Sequence, residues 1–348
     1  MPNQHPISQD VIDWFSANQR DLPWRANPEP YRVWLCEIMM QQTRIETGTA
    51  YWHGFLERWP TIDDLARAEE DDVLKAWQGL GYYSRARNLL KAARLVVSSH
   101  GGEFPKTSAS LRKLPGIGPY TAAAIGSICF GESVAAVDGN VIRVVSRLFD
   151  IDLAIDSPAG KRAIEQAAET LVPTHRPGDH NQGMMEIGAL ICKPKNPTCG
   201  LCPLQVHCTS RAAGTAKQRP VKHGKMTVKE VAMPFVVLTD GLKVAMVQRP
   251  KPGIWAGLWT FPLAADVHEN LGKPNGPAAP SFTHILTHRR LYLSFELRVL
   301  SGPAGDASEG LGDSWRWVSW SEAEELAMPR AMEKIWSHAA KSAAKVYI

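Results

Sequence analysis

Up to residue 208, the chain carries apolar residues at the three- and four-residue spacing of amphipathic helices. Such patterns cover residues 8–20, where Ser8 is the expected N-cap, and residues 31–48, which are apolar almost all round from Val33 to Met40. Two or three further helices are predicted within residues 61–98. This part of the chain therefore predicts an all-α region.

The pattern changes after residue 208. Residues 209–229 are polar and basic without a hydrophobic period, which is typical of a linker. Runs rich in β-branched and aromatic residues then predict strands at 230–238, 242–248, 291–300 and 315–320. Ser321 and Glu324 form a capping-box pattern that predicts a final helix. An α/β or α+β domain is expected here, and the aromatic and basic segment 281–290 is predicted to be a loop.

Length and composition agree with this division. At 348 residues the chain is too long for one ordinary core, and 44% hydrophobic with 21% charged residues is typical of a globular protein. The N-terminal residues are polar, unlike a signal peptide, and no apolar run approaches the roughly 20 residues that span a bilayer. We therefore expect a cytoplasmic protein without a membrane partner. With a net charge of only +4, nucleic-acid binding would need a locally basic face.

A glycine pair opens the region with candidate chemistry. Gly116 and Gly118 lie between two predicted helices, and because neither has a Cβ, their backbone N–H groups are open to a phosphate. Pro119 suits the first turn of the following helix. Asp138 stands where an N-cap would precede a helix over residues 141–149. An ordinary helix–helix turn and a structural cap are the alternatives.

Glu37 is a carboxylate in the middle of the apolar run of the second predicted helix. Burial would raise its pKa, which is the condition for a general acid near neutral pH. At a helix N-terminus, Asp138 would instead be held ionised by N–H groups and the helix dipole. Two carboxyl groups whose pKa values are shifted in opposite directions are typical of enzymes that break a bond at a sugar carbon. One group donates a proton and the other, as an anion, stabilises the positive charge on the sugar. A Glu37 paired with a buried arginine is the alternative.

Four of the six cysteines crowd into one loop, at Cys192, Cys199, Cys202 and Cys208. Structural zinc sites usually use two close cysteine pairs, and only the middle pair here has that spacing. Four thiolates along one loop suit a cubane iron–sulfur cluster. Disulfides are disfavoured because the chain shows no export signal. Cys36 and Cys129 lie in apolar helical runs and are predicted to be packing residues.

Aromatic and polar residues in three turns could contact a nucleic acid. Trp24 and Arg25 lie in a proline-rich loop and could clamp a planar base, although packing and solvation are equally open. Gln42 ends the buried helix with an amide that could read a base. Tyr82 lies in a glycine-rich turn followed by basic residues, which could combine a wedge with phosphate contacts or form an ordinary solvated face.

Together these motifs resemble the helix-hairpin-helix DNA glycosylases, and within them the MutY family of adenine glycosylases. The resemblance covers nearly the whole chain and is most specific in LPGIGPYTA followed by VDGNV, in CEIMMQQT, in GLGYYSRARN and in the cysteine loop. It implies a multidomain protein with an all-α helix-hairpin-helix catalytic core, an iron–sulfur cluster loop and a C-terminal α+β Nudix-like domain. The implied bounds are 1–208 for the catalytic region (a six-helix subdomain at about 27–133, a cluster subdomain from 1–26 and 134–208), 209–229 for the linker and 230–348 for the Nudix-like domain.

The resemblance also implies roles for single residues in catalysis. Glu37 is similar to the acid that protonates adenine and later handles water, and Asp138 to the carboxylate that stabilises the cationic sugar. Asn140 and Tyr120 are similar to their supporting partners. The lyase branch, endonuclease III, carries a nucleophilic lysine where this chain has Tyr120, so the resemblance favours a monofunctional hydrolase.

Binding roles follow from the same resemblance. The residues similar to the pocket that receives the flipped adenine are Leu22, Trp24, Arg25 and Gln182. Gln42 and Tyr82 are similar to residues that wedge the duplex and engage the opposite base. The amides of Gly116 and Gly118, with a monovalent cation, are implied to hold a phosphate. The four loop cysteines are implied to hold a [4Fe–4S] cluster.

In the C-terminal domain, GLWTFP is similar to the 8-oxoguanine-recognising Nudix type, and no acidic Nudix box is recognisable. Leu286, Thr287 and His288 match a Phe-Ser-His loop that reads 8-oxoguanine, with leucine in place of phenylalanine. The expected partner is double-stranded DNA with adenine opposite 8-oxoguanine or guanine, bound by a monomer that contacts repair proteins transiently. The alternatives are an endonuclease III-like lyase on oxidised pyrimidines, a non-catalytic iron–sulfur DNA-binding protein and a Nudix hydrolase with a helical appendage.

Overall fold

The computed structural model describes residues 6–224, 227–275, 281–304 and 314–343. The chain divides into two compact units, Met1–Arg67 with Asn88–Lys225, and Ala68–Arg87 with Met226–Ile348. The first unit is helical, and the second is built on a β-sheet with helices. The predicted combination of an all-α region with a C-terminal α+β region is confirmed.

The helices that precede the sheet are, in chain order, α1 (Pro6–Asn18), α2 (Pro23–Ala26), α3 (Pro30–Met39), α4 (Ile45–Arg58), α5 (Ile62–Arg67), α6 (Glu70–Ala76), α7 (Ser84–His100), α8 (Ser108–Leu111), α9 (Pro119–Phe130), α10 (Gly139–Leu148), α11 (Pro158–Glu169), α12 (Pro177–Leu190) and α13 (Thr209–Ala212). Among the described residues, no helix combines the length and apolar character that crossing a bilayer requires.

One apolar cluster of the first unit joins α1, α10, α11 and α12, through side chains such as Val11, Val145 and Ile187. Ser8 contributes to this packing, since its hydroxyl donates to the carbonyl oxygen of Leu171 at 2.6 Å. The helix begins at Pro6, before Ser8. The prediction that Ser8 caps the helix was therefore wrong.

The single helix predicted over residues 31–48 is two helices, because α3 ends at Met39 and α4 begins at Ile45. Gln42, in the intervening turn, has a φ of 58°. This left-handed conformation cannot continue a right-handed helix. The apolar periodicity does not reveal the break.

The helices that flank the glycine pair follow the predicted capping. Gly118 is the N-cap of α9 and Pro119 its first residue. Asp138 is the N-cap of α10, where its carboxylate accepts hydrogen bonds from the N–H groups of Asn140 and Val141. The N-cap prediction for Asp138 is confirmed.

Part of the segment predicted as a linker is folded onto the first unit. Thr209–Ala212 is helical, and Ala216–Gln218 forms a 3-10 turn. Arg219 pairs with Asp150 at 3.1 Å, and the N–H of Ile155 donates to the carbonyl oxygen of Val221 at 3.0 Å. The linker prediction did not anticipate these contacts.

The second unit contains a seven-stranded sheet in the order β3-β2-β1-β6-β4, with β5 on β6 and β7 on β2. The strands are β1 (Lys229–Thr239), β2 (Lys243–Gln248), β3 (Trp259–Thr260), β4 (Lys273–Pro274), β5 (Phe282–Leu286), β6 (Arg289–Val299) and β7 (Trp315–Ser319). Only β1 and β6 among these pairs are parallel, with Phe235 opposite Phe295. The four predicted strands are confirmed as β1, β2, β6 and β7. β5 was missed because its residues were assigned to a loop, and the two-residue strands β3 and β4 were not predicted.

Two helices, α14 (Trp320–Glu325) and α15 (Arg330–Ala343), follow the sheet. The apolar cluster of Phe235, Met246, Phe295 and Ile335 joins α15 to one face of the sheet. The predicted capping box lies two residues too late, because Ser319 is the N-cap and exchanges hydrogen bonds with Glu322. Serines at both positions made the sequence pattern ambiguous.

Two glycines allow the packing of the first unit to be tested. A Cβ at Gly160 on α11 would lie 2.0 Å from the carbonyl oxygen of Ala154, whereas a Cβ at Gly54 on α4 would meet nothing within 4 Å. We expect Gly160→Ala to lower the free energy of unfolding by about 3 kcal/mol, because backbone must move. Gly54→Ala should raise it by about 0.5–1 kcal/mol, since alanine is the better helix former. Urea denaturation followed by circular dichroism measures both, and a neutral Gly160→Ala would contradict the packing.

Candidate active site

Three helices bring Glu37, Tyr120 and Asp138 into one group. Glu37 lies on α3, Tyr120 in the first turn of α9 and Asp138 at the start of α10. The Tyr120 hydroxyl hydrogen-bonds to Glu37, and the Asp138 charge acts on Glu37. The same hydroxyl lies 3.5 Å from the sulfur of Met185. The structure therefore brings Glu37 next to two residues that lie 83 and 101 positions further along the sequence.

Burial raises the pKa of Glu37 to about 7. The Tyr120 hydrogen bond and the charge of Arg25 lower this pKa, while repulsion from Asp138 raises it. A carboxyl with this pKa carries its proton in a useful fraction of molecules near neutral pH. Glu37 can therefore act as a proton donor.

Asp138 is held by hydrogen bonds on both carboxylate oxygens. Oδ1 accepts from the N–H groups of Asn140 at 2.8 Å and Val141 at 2.7 Å, and Oδ2 accepts from Asn140 Nδ2 at 2.9 Å. Burial nevertheless raises the pKa of Asp138, against the lowering effect of these bonds and of Arg143. The prediction that the pKa values of Glu37 and Asp138 move in opposite directions was wrong, because desolvation acts on both carboxyls.

Arg143 connects this group to the cysteine loop. Its Nη2 donates to Asn140 Oδ1 at 2.9 Å, and its Nε donates to the carbonyl oxygen of Cys192 at 2.7 Å. A third bond reaches the carbonyl oxygen of Gly188 at 2.6 Å. One side chain on α10 therefore fixes the amide that holds Asp138 and the first cysteine of the loop.

Arg25 and Gln182 meet beside this group. Arg25 Nε donates to Gln182 Oε1 at 3.1 Å, and Arg25 Nη1 donates to Glu186 Oε1 at 2.8 Å. Glu186 is buried and also pairs with Arg20. The structure thus places a fixed guanidinium next to a side-chain amide.

The other two residues assigned to the adenine pocket have different surroundings. Trp24 is buried, with its ring edge against Trp52 at a centroid distance of 5.9 Å. Leu22 is half-buried at the N-cap of α2. The contacts of Trp24 are those of a packing residue.

The glycine pair leaves backbone amides open. Gly116 has a φ of 77°, and a Cβ there would lie 2.7 Å from the Cβ of Asn88, so this turn requires glycine. A Cβ at Gly118 would meet nothing within 4 Å. The described residues provide no hydrogen-bond acceptor for either N–H group. An anion can therefore approach both amides.

All four loop cysteines line one small cavity, together with Arg147 and Ile191. Within the described residues, no three potential ligands converge closely enough to hold a single metal ion. Four cysteine thiols that line one cavity are the donor type that binds an iron–sulfur cluster. Burial raises the pKa of Cys202 to about 11, so ligand binding there must displace a proton.

The buried Arg147 was missed by the sequence reasoning, as was Arg143. Arg147 Nη1 donates to Cys192 Sγ at 3.3 Å and to the carbonyl oxygen of Lys193 at 2.8 Å. The two arginines are four residues apart on α10 and so share a helix face. That spacing was visible in the sequence, but only the fold shows that the face meets the cysteine loop.

In the second unit, Tyr82, Thr287 and His288 line a cavity of about 820 Å³. Thr287 and His288 form the turn between β5 and β6. The Tyr82 hydroxyl is a hydrogen-bond partner of the Thr287 hydroxyl. Gln42, in the first unit, is exposed in its left-handed turn.

Comparison with known proteins agrees with this arrangement. Residues 35–174 match the model of the HhH-GPD superfamily of base excision DNA repair proteins, and residues 234–338 match that of the NUDIX domain. The structure of a thermostable thymine-DNA glycosylase aligns with a TM-score of 0.55 and 29% identity, over 60% of this chain and 95% of that protein. An endonuclease III–DNA complex, at 22% identity and a TM-score of 0.51 over 62% of this chain and 99% of that protein, shares the fold.

Similarity to adenine DNA glycosylases extends along almost the entire chain. The protein from Mus musculus is 32% identical over 94% of this chain and 76% of its own length, and that from Homo sapiens is 31% identical over 94% and 72%. The protein from Buchnera aphidicola subsp. Acyrthosiphon pisum is 32% identical over 94% of this chain and 96% of its own length. The chain belongs to the adenine DNA glycosylases.

As a member of this family, the glycosylase is a monofunctional hydrolase of base excision repair. In this site the hydroxyl that hydrogen-bonds to Glu37 belongs to Tyr120. Burial and the neighbouring carboxylates raise the pKa of Tyr120 well above its usual value, so its hydroxyl stays protonated. A neutral hydroxyl can donate a hydrogen bond, but it cannot form an imine.

The raised pKa of Glu37 predicts a pH-dependent cost to stability. The pKa is about 7 in the folded protein and 4.5 as a model value, so the ionised folded form is disfavoured. This cost is absent below pH 4.5, grows as pH rises to 7 and then stays constant. We expect the unfolding free energy of Glu37→Gln to be higher than that of the wild type by on the order of 3 kcal/mol at pH 8. At pH 4 the two proteins should be equally stable. Chemical denaturation at both pH values measures the difference.

Glu186 provides a control with the opposite sign. Its pairing with Arg20 and Arg25 outweighs burial and lowers its pKa, so its charge stabilises the fold. Glu186→Gln should therefore be less stable than the wild type at pH 7, with the deficit shrinking as pH falls through 4.5. A Glu37→Gln variant that behaved in the same way would show that Glu37 is a stabilising charge.

Proposed function

We propose that this glycosylase removes adenine paired with 8-oxoguanine or guanine in double-stranded DNA and leaves an abasic site. The observation that carries the proposal is the Glu37 carboxyl, with a pKa of about 7 beside Tyr120 and Asp138. Adenine is a poor leaving group as an anion, so its release needs a proton donor. The cavity at Tyr82 and Thr287 supports the choice of partner base.

The reaction begins when the mispaired adenine leaves the helix. Gln42 and Tyr82 enter the base stack, and the adenine turns into the pocket that contains Arg25 and Gln182. Extrusion costs a few kcal/mol and is easiest for a mispair, so part of the selectivity arises here. The hydrogen bond between Arg25 and Gln182 at 3.1 Å supports this assignment, because it fixes both polar groups before the base arrives.

Glu37 then donates its proton to the purine, and the glycosidic bond breaks. The sugar develops positive charge, which the Asp138 carboxylate stabilises. Asn140 holds Asp138 at 2.9 Å, and Tyr120 hydrogen-bonds to Glu37. After proton transfer, the Glu37 carboxylate accepts a proton from the water that attacks the sugar.

The hairpin and the cysteine loop position the DNA. The open N–H groups of Gly116 and Gly118, with a monovalent cation, would hold a phosphate. Cys192, Cys199, Cys202 and Cys208 would hold a [4Fe–4S] cluster, whose thiolate bonds crosslink the loop when it is bound. Arg143 and Arg147 then link that loop to the helix that Asp138 caps.

The partner base is read in the second unit. Guanine and 8-oxoguanine differ at N7 and C8, where the oxidised base carries an added N–H donor and a carbonyl oxygen. The hydroxyl of Thr287 and the ring of His288 can hydrogen-bond to those groups. Leu286 supplies an apolar side chain beside Thr287 and His288.

We infer that the enzyme acts as a cytoplasmic monomer that contacts repair proteins transiently.

Replacement of Glu37 tests the chemical step. Glu37→Gln should slow single-turnover adenine release by on the order of 10²- to 10⁴-fold, because the acid is lost, while duplex binding stays largely intact. For the wild type, kcat/KM should fall above about pH 7, where Glu37 loses its proton. Glu57→Gln, an exposed carboxyl on α4, is the control. Adenine release by Glu37→Gln at nearly the wild-type rate would show that Glu37 is not the proton donor.

The same assay separates the rival functions. Duplexes with adenine opposite 8-oxoguanine, guanine and thymine, and a thymine-glycol duplex, are incubated with and without borohydride. We expect release from the first two and no trapped adduct. A covalent adduct on thymine-glycol DNA would indicate a lyase, and absence of base release from every duplex would indicate a non-catalytic binding protein.

Replacement of Thr287 tests lesion recognition. Thr287→Val keeps the shape of the side chain and removes its hydroxyl, so the preference for 8-oxoguanine over guanine should fall roughly tenfold, the value of one hydrogen bond. Thr283→Val on β5 is the matched control, since Thr283 does not line the cavity. Both variants are compared by single-turnover rates on the two duplexes. An unchanged ratio in Thr287→Val would exclude this hydroxyl from lesion reading.

A further inference from the structure

The cavity of the second unit includes two residues without a role so far, Trp255 and His284. Trp255 has a left-handed backbone with a φ of 56°, as does Tyr82 with a φ of 48°. This conformation is unfavourable for a residue with a Cβ, because the Cβ crowds the following carbonyl oxygen. Such strain is concentrated at binding sites, and here two strained aromatic residues line one cavity.

The backbone around Trp255 is fixed by its neighbours. The carbonyl oxygen of Ala256 accepts from Arg87 Nη1 at 2.6 Å, and the N–H of Gly257 donates to the carbonyl oxygen of Arg249 at 2.8 Å. The N–H of Leu258 closes the turn onto the carbonyl oxygen of Trp255 at 3.0 Å. These bonds hold the half-buried indole at the cavity although its backbone is strained.

Trp255 also contacts the strand that carries the lesion-reading turn. Its ring meets His284 edge to face, with centroids 5.9 Å apart and planes at 61°. His284 and Leu286 are two residues apart on β5 and so lie on the same face. Burial, with the charges of Lys334 and Arg330, lowers the pKa of His284, so this ring is neutral at neutral pH.

We propose that Trp255 is a specificity-determining residue, whose indole forms with Tyr82 and the Thr287–His288 turn the wall that contacts the purine opposite adenine. The inference rests on the proposed function, because it requires that purine to reach this cavity. An aromatic side chain holds a base by about 1–3 kcal/mol without distinguishing its edge. Trp255 therefore fixes the position of the purine, and Thr287 reads the edge that this position presents.

Replacement of Trp255 by glycine tests the role of the indole ring without changing the backbone conformation that the position requires. Trp255→Gly removes the indole but places at φ 56° the residue that best tolerates that conformation. The indole also packs against the core of the second unit, so we expect the melting temperature of Trp255→Gly to fall, as in Trp317→Ala. Its preference for 8-oxoguanine over guanine should fall roughly tenfold in single-turnover adenine release, which loss of packing alone would not cause. Trp255→Phe should keep most of the preference, since a phenyl ring preserves the contact with His284. Trp317→Ala, in the separate apolar cluster of Trp317 and Val236, should lower the melting temperature without changing the preference.

Binding measured in the Glu37→Gln background gives a second readout. Trp255→Gly should weaken binding of both duplexes, since either purine loses the aromatic contact, and should weaken that of the 8-oxoguanine duplex roughly tenfold more, since Thr287 then faces an edge that is no longer held in place. Equal weakening on both duplexes, or full retention of the preference while Thr287→Val loses it, would overturn the role of Trp255. A wild-type enzyme that acts equally on both duplexes would also overturn the role of Trp255, whereas one that releases adenine from neither duplex would refute the proposed function.

Discussion

The desolvation of one carboxyl is the constraint on which the active site depends. Glu37 lies on an apolar helix whose neighbouring side chains, Trp34, Leu35 and Ile38, are buried. Desolvation by the surrounding core therefore raises the pKa of Glu37 to about 7. The same desolvation lowers the stability of the folded protein when Glu37 is ionised. Tyr120 and Arg25 limit the shift, so the group remains able to give up its proton. Acidity near neutral pH is here a consequence of packing.

Asp138 experiences the same desolvation but has a different hydrogen-bond environment. Its two oxygens accept three bonds from the start of α10, and these oppose the effect of burial on its pKa. The two carboxyls therefore differ in how strongly hydrogen bonds oppose the effect of burial on the pKa. Asp138 accepts three such bonds, whereas among the described residues Tyr120 is the donor to Glu37. Through Asn140 and Arg143, the geometry of Asp138 is also tied to the cysteine loop.

The sequence predicted those features that depend on local periodicity or spacing. The N-cap at Asp138, the proline at the start of α9 and the strands β1, β2, β6 and β7 follow from such patterns. The break at Gln42 and the loop-like β5 were missed, because a left-handed residue and strand pairing leave little trace in composition. The pKa direction at Asp138 and the contacts of Arg143 depend on residues distant in sequence, so no local pattern could supply them.

The turns that we propose to read the partner base are fixed by contacts within the second unit. The Tyr82 turn belongs to the segment Ala68–Arg87, which forms one compact unit with the C-terminal sheet. The Tyr83 hydroxyl donates to the carbonyl oxygen of Met328 at 3.1 Å, and Arg87 donates to Ala256 at 2.6 Å. The Tyr82 and Thr287 turns are thus parts of one compact body before DNA binds. Such preorganisation would reduce the entropy lost when these turns contact a base. The contacts that fix the turns are different from those that raise the pKa of Glu37, so the proposed reading of the partner base and the acidity of Glu37 have separate physical origins.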